Sequence, residues 1–245
     1  MKKEPLLLLT ACVNPNGMTQ TAFQDADERL KQYLEAIQFY LDKTNFPILI
    51  VENTSVNFND YFLEYVKSGR LECLSFNGNN YPRSLGKGFG EGIILQYAFN
   101  YSKTIHEYNW IVKITGRHKV VNIKKLVGIS KVLIWRRQFI ITEISPKQRF
   151  CRSDIFIASK KFYLNYLIPN LSLCNDLKNI WFENMLFQSV LSACHDGFNF
   201  LYVPICPCQE GVSGSSGVSF KKPRVRRHIR FFFTMIGYLL RVKRL

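Results

Sequence analysis

The 245-residue sequence is short of acids: 18 Asp and Glu stand against 33 Lys and Arg, for a net charge of +15. It has no apolar run of the roughly 18–20 residues that a membrane-spanning helix needs. With 14 Gly and 9 Pro it cannot be collagen-like or of low complexity, and no internal repeat is visible. Its seven Cys fall at 12, 73, 151, 174, 194, 206 and 208. An odd number without a spacing framework excludes a disulfide scaffold and points to a reducing compartment. Cys194-His195 and Cys206-Pro207-Cys208 match no zinc spacing and read as core cysteines.

What is present suits one α/β domain. Apolar residues reach 47% and aromatics 14%, with 20 Phe and 12 Tyr, enough for a proper core. The excess charge has a location. From Lys221 to Leu245 there are nine Lys or Arg and no acid, which leaves 24 basic against 18 acidic residues elsewhere, a net of +6. Such a tail wants an anionic partner. Within it, Arg230 and Arg241 bracket the ten residues Phe231–Leu240. As a helix that run is roughly 15 Å long, too short to cross a bilayer, and it suits an in-plane interfacial anchor. Residues 1–220 are then the globular domain and 221–245 a basic, Phe-rich membrane-association tail. At the other end, the run Leu6–Leu9 is too short for the core of a signal peptide and reads as a buried first strand.

Periodicity orders the elements. Leu6–Val13, Phe46–Val51, Leu71–Phe76 and Trp110–Thr115 read as buried strands. Thr21–Lys43 is an amphipathic helix with Asp25, Asp27 and Glu28 near its start. Asp60–Lys67 is a short helix stopped by Gly69. Asn77–Gly92 reads as a polar, Gly-rich loop leading into a helix over Ile93–Ser102. The pattern argues for a mainly parallel, doubly wound sheet flanked by helices. Further on, Val132–Trp135, Phe139–Glu143, Asp154–Ala158 and Asn199–Val203 read as strands, and Asp176–Cys194 as a helix.

In such sheets ligands bind beyond the carboxyl ends of the strands. Those ends carry Thr10–Asn16, Glu52-Asn53-Thr54 and Lys113–Arg117. The stretch Ser84–Gly92 is neither a Walker loop nor GxGxxG, since Glu91 sits where the last Gly would be. Even so, Lys87 and a helix start could hold phosphate. Lys113 and Arg117 could neutralise a diphosphate leaving group. Glu183, among the aromatics of Trp181-Phe182-Glu183-Asn184, is a candidate general base. Asp25-Ala26-Asp27 is a literal DxD, but it lies near a helix start and not at a strand end.

Taken in order, Leu6–Asn14, Ile48–Asn53, Lys87–Glu91, Lys113–Arg117, Phe182-Glu183-Asn184 and Gly211–Gly217 resemble bacterial glycosyltransferases of capsule and O-antigen (lipopolysaccharide) clusters. The resemblance covers about residues 5–220. It implies a GT-A-like fold and a hexosyltransferase-type activity. A nucleotide-diphosphate sugar would be the donor, and a lipid-linked glycan on the cytoplasmic face of the membrane the acceptor. By position, Thr10, Asn14, Glu52 and Asn53 would flank the nucleoside. Lys87, Gly88, Gly90, Glu91, Thr115 and Gly116, with Lys113 and Arg117, would line the diphosphate and sugar. Glu183 would be the base, and Ser213, Gly214 and Ser215 would close the acceptor side. The family's metal-holding DxD at the end of the fourth strand is replaced by Lys113-Ile114-Thr115-Gly116-Arg117. No cofactor or metal is therefore expected, although manganese or magnesium stays open. Two other readings compete: a nucleic-acid-binding or -modifying basic protein, and a non-catalytic partner in a membrane-bound polysaccharide complex.

Overall fold

The computed structural model describes residues 4–18, 21–212, 217–218, 229, 231–233 and 236. Four parallel strands form the first half: β1 (Leu6–Ala11), β2 (Ile48–Glu52), β3 (Leu71–Ser75) and β4 (Trp110–Thr115). β1 is buried along its whole length because β2 and β4 flank it and helices cover both faces, so every position is apolar but Thr10. The helices between these strands are α1 (Ala26–Lys43), α2 (Leu63–Lys67) and α3 (Gly86–Tyr101). Asp25 caps α1 by accepting the amide of Glu28 at 2.9 Å, which accounts for the acids at its start.

The second half adds a short strand β5 (Lys119–Val120) and helix α4 (Ile123–Leu133). Then come β6 (Phe139–Thr142), the small hairpin of β7 (Ile144–Ser145) and β8 (Phe150–Cys151), and β9 (Ile155–Ser159). The helical turn α5 (Lys160–Phe162), helix α6 (Phe182–His195), β10 (Asn199–Tyr202) and β11 (Gln209–Glu210) complete it. The main sheet runs β10-β6-β9-β4-β1-β2-β3, and β9 alone is antiparallel to its neighbours. The expected α/β class with a mainly parallel, helix-flanked sheet is thus present.

Three element readings are corrected. The Gly-rich segment is not a loop through Gly92: α3 begins at Gly86, and its glycines at 86, 88, 90 and 92 are buried. A Cβ would collide with Phe182 at Gly88, with the Tyr81 hydroxyl at Gly90 and with Leu171 at Gly92. Close packing of a helix, not loop flexibility, selects them. Val132–Trp135 is no strand. Ile123, Leu126, Val127 and Ser130 turn inward at helical spacing, and Val132 and Trp135 end up on the surface. The helix expected from Asp176 is broken by Asn179, whose φ of 54° ends a single 3₁₀ turn before α6 starts. Among the described residues, no helix is long and apolar enough to cross a membrane.

Candidate functional site

The chain moves from β1 outward to β2 and β3, then returns to place β4 on the other side of β1. That reversal opens a crevice beyond the carboxyl ends of β1 and β4. Right-handed crossovers place α1 and α3 on opposite faces of the sheet. The crevice therefore draws on both helices and on the loops after each strand.

One wall is basic. Arg29 falls on the buried phase of α1, four residues before Tyr33, and reaches the end of β1. Its guanidinium donates to the carbonyls of Cys12 (3.0 Å), Val13 (3.1 Å) and Phe23 (3.0 Å). Arg117, also buried, donates to the Val212 carbonyl and to the Tyr33 hydroxyl. Burial pushes Arg117 below its ordinary value, and the Arg29 charge adds to that shift. Arg83 contributes a third cation, with 3.4 Å between its Nη1 and Asn79 Oδ1. Cys12 lies among these groups. Burial pushes its thiol up to about 11, opposed by Arg29 and Arg83. Among the described residues, neither Arg29 nor Arg117 has a carboxylate within ion-pair distance. Beside them His118 is pushed down to about 3 by burial and by the Arg117 charge.

The other wall is acidic. Glu91, on α3, accepts from Thr10 Oγ1 at 3.3 Å and forms an ion pair with Lys113. The Lys113 side chain is 0% exposed, donates to the Ser153 carbonyl at 2.7 Å, and lies over the rings of Phe182 and Phe156. Ser153 in turn donates to Glu183 Oε1 at 2.7 Å. Asp176 rests on Gly86 at the head of α3, where a Cβ would strike its carboxyl group. Gly86 has a φ of 80°, so no other residue fits there without strain. Oδ2 of Asp176 is buried without a hydrogen-bond partner, and burial raises its pKa against the pull of Lys87. All three carboxylates act on buried Cys174, whose thiol is pushed up to about 12, first by burial and then by Glu183, Glu91 and Asp176. Tyr81 spans the two walls: its hydroxyl is bonded to the Gly90 backbone, and it feels Cys12, Arg83 and Asp176.

The expected site residues divide into three groups. Thr10 and Glu91 are hydrogen-bonded, Glu183 is linked to them through Ser153 and Lys113, Lys87 acts on Asp176 on that side, and Arg117 lies on the basic side with Arg29. Glu52, Lys113, Gly88, Gly90 and Gly116 are built into the frame of the crevice. Glu52 is 0% exposed, and its carboxylate accepts the amides of Val13, Thr54 and Val56 at 2.7–2.9 Å, so it organises two loops instead of offering a free side chain. The Lys113 ammonium is taken by Glu91, which corrects its reading as a free cation for a leaving group. The Gly116 amide is spent on the Thr10 carbonyl at 2.9 Å, and a Cβ there would come within 2.8 Å of that oxygen. Thr115 gives its amide to Asp154. Asn14 lies on the exposed rim, and Asn53 is buried with its Oδ1 unmatched. The third group, Ser213, Gly214 and Ser215, lies outside the described residues, as does nearly all of the 222–245 anchor. Of that tail, Phe231 packs its ring 5.7 Å from Tyr202.

Arg29, Arg83, Tyr81, Ser153 and Asp176 were not found from the sequence. Only Arg29 left a signal, a cation on the apolar phase of α1. A divalent metal does not suit the end of β4, which offers a buried ammonium and a guanidinium in place of carboxylates. Among the described residues, no group of three or more His, Cys, Asp or Glu could hold a metal ion.

No family model matches the chain, and no curated protein does. Solved structures resemble it at low identity. A mannosyltransferase from Pyrobaculum calidifontis, in complex with GDP-mannose and Mn²⁺, is 8% identical over 82% of this chain and 55% of its own, at a TM-score of 0.47. Mouse xyloside xylosyltransferase 1 is 12% identical over 83% and 85%, at 0.43. A cytidylyltransferase from Leptospira borgpetersenii is 17% identical over 83% and 76%, at 0.38. The similar structures thus include both sugar and nucleotidyl transferases, and at these TM-scores they do not decide the activity.

Proposed function

We propose that this protein is a glycosyltransferase that moves a sugar from a nucleotide-diphosphate donor to a lipid-linked glycan acceptor, in the assembly of a surface polysaccharide. The observation that carries the reading is the buried pair Arg29 and Arg117, which among the described residues has carbonyl and hydroxyl partners but no carboxylate. Burying a cation without a counter-charge is costly. A diphosphate at the switch-point crevice would supply that charge through charge-assisted hydrogen bonds.

The chemistry follows from the two walls. An acceptor hydroxyl attacks the anomeric carbon, and the bond from that carbon to the diphosphate oxygen breaks. Glu183, oriented by Ser153, takes the hydroxyl proton. The negative charge that gathers on the departing diphosphate is met by Arg117 and Arg29. Thr10, Asn14 and Asn53 would flank the nucleoside, Lys87 and Thr115 the diphosphate and sugar, and Ser213–Ser215 the acceptor. The basic tail would hold the protein against the inner face of the membrane.

A thermal-shift screen against UDP, GDP, CMP and dTDP, each with and without manganese, tests the reading. Ligand at about 100 times its dissociation constant stabilises by roughly 2.7 kcal/mol. One nucleotide should raise the melting midpoint in wild type and clearly less in Arg117→Ala. Glu183→Gln should keep that shift and lose transfer by about 10²–10⁴-fold. No shift with any nucleotide would sink the proposal. A shift with CTP, with pyrophosphate released on turnover, would make the protein a nucleotidyltransferase instead.

A further inference from the structure

Helix α4 and the turn after it carry a surface that the crevice does not use. From Val121 to Thr142 there are five cations and no acid: Lys124, Lys125, Lys131, Arg136 and Arg137. All five are exposed. The inward stripe of α4 is Ile123, Leu126, Val127 and Ser130, so Lys124, Lys125, Lys131 and Val132 line its solvent side. Large apolar groups stand among these cations. Val132 is 84% exposed, Trp135 70% and Leu133 40%. The Arg136 guanidinium lies 4.4 Å from the centre of the Trp135 ring. Glu4 pairs with Lys131 at 2.6 Å, across the surface.

We infer that this face is a second membrane-docking surface, one that seats α4 along a bilayer rich in anionic headgroups. Charge complementarity selects the occupant, because a run of cations without acids is drawn to an anionic surface. The apolar groups then select lipid over nucleic acid. Aliphatic Val132 and Leu133 have nothing to stack on, whereas the acyl boundary takes them together with an interfacial Trp. Laid lengthwise, α4 would present a stripe of roughly 16 Å to the bilayer. The inference extends only the membrane part of the proposed function and does not depend on sugar transfer.

The test uses the full chain and vesicles of phosphatidylcholine with and without phosphatidylglycerol. The protein should sediment with the anionic vesicles. Brominated lipid should quench tryptophan emission in wild type and in Trp181→Phe, but not in Trp135→Phe. Replacing Lys124, Lys125, Arg136 and Arg137 together by Gln should weaken binding at least tenfold with the melting midpoint unchanged. Each cation near such a surface strengthens binding several-fold, so the loss of four exceeds that threshold. Quenching that survives in Trp135→Phe and vanishes in Trp181→Phe would overturn the assignment. So would vesicle binding indifferent to the four Gln, or retention of duplex DNA in place of vesicles. None of these readouts involves a nucleotide or sugar, so they separate this inference from failure of the transferase reading.

Discussion

On the β1 side of the crevice, the guanidiniums of Arg29 and Arg117 are buried with carbonyl and hydroxyl partners and, among the described residues, no carboxylate. On the α3 side, the buried ammonium of Lys113 has Glu91. Both arrangements take cations out of water, yet among the described residues only one has a counter-charge. A balanced pair belongs to the folded protein itself: remove one member and the other is stranded. An unbalanced pair would be completed from outside, by the anion that the proposed function brings to the crevice. On the proposed function, buried cations would serve stability on one wall and binding on the other. Position relative to a carboxylate, not burial, separates the two roles.

The largest effect should come from breaking the balanced side. Lys113→Met leaves Glu91 with Thr10 alone, and should lower unfolding stability by about 3 kcal/mol. That is the lower end for a broken buried pair, because Glu91 keeps some contact with water. Urea denaturation measures it. A loss below about 1 kcal/mol would show that the pair is not the keystone of this wall. Next comes the unbalanced side. Arg117→Ala should weaken binding of the nucleotide diphosphate by roughly 10- to 100-fold, the value of one or two charge-assisted hydrogen bonds. Its effect on the stability of the free chain should be smaller than that of Lys113→Met. Calorimetry with each variant checks both halves. Equal losses of stability in the two variants would erase the contrast between the walls.

The contrast was only partly legible in the sequence. β1, β2 and β4 announced themselves because central parallel strands are apolar on both faces, and their carboxyl ends located the crevice. Arg117 draws notice because it follows a strand end, Glu91 because it stands in the Gly-rich stretch, and Glu183 because it lies amid aromatics. The start of α3 was hidden because glycine is a poor helix former. What overrides propensity is contact with Phe182, Tyr81 and Leu171, and Phe182 and Leu171 lie far along the sequence, where no local window records them. Val132–Trp135 misled for a related reason. β-branched and aromatic residues favour strands, but here Val132 and Leu133 end α4, Trp135 follows it, and these three face solvent. Lys113 was recognised as a cation at a strand end, yet its partner sits 22 residues away on another element. Charge can be read from sequence, but whether it is balanced cannot.

The smallest effect concerns two aspartates that repeat the contrast with opposite signs of pH dependence. Burial alone would push Asp154 up. The Arg152 guanidinium outweighs burial and holds the carboxyl well below the usual range. The 2.8 Å bond from Arg152 Nη2 to Asp154 Oδ2 is part of that hold. Asp154 thus binds its proton less readily when folded. Its stabilisation is present above the ordinary carboxylate pKa and is lost as pH falls through the folded value. Asp176 is raised, by burial first, with Lys87 opposing. It binds a proton more readily when folded, so its ionisation erodes stability as pH rises from the ordinary carboxylate range through the raised value. Asp154→Asn should therefore destabilise at neutral pH, with the deficit shrinking in acid. Asp176→Asn should raise the melting midpoint slightly at neutral pH, with the gain vanishing in acid. Melting curves of both variants against wild type, from pH 7 downward, test the pair. If the two differences moved in the same direction with pH, Asp176 would have a cationic partner strong enough to balance it. The acidic wall would then be satisfied within the chain, leaving the arginine side alone in need of a ligand.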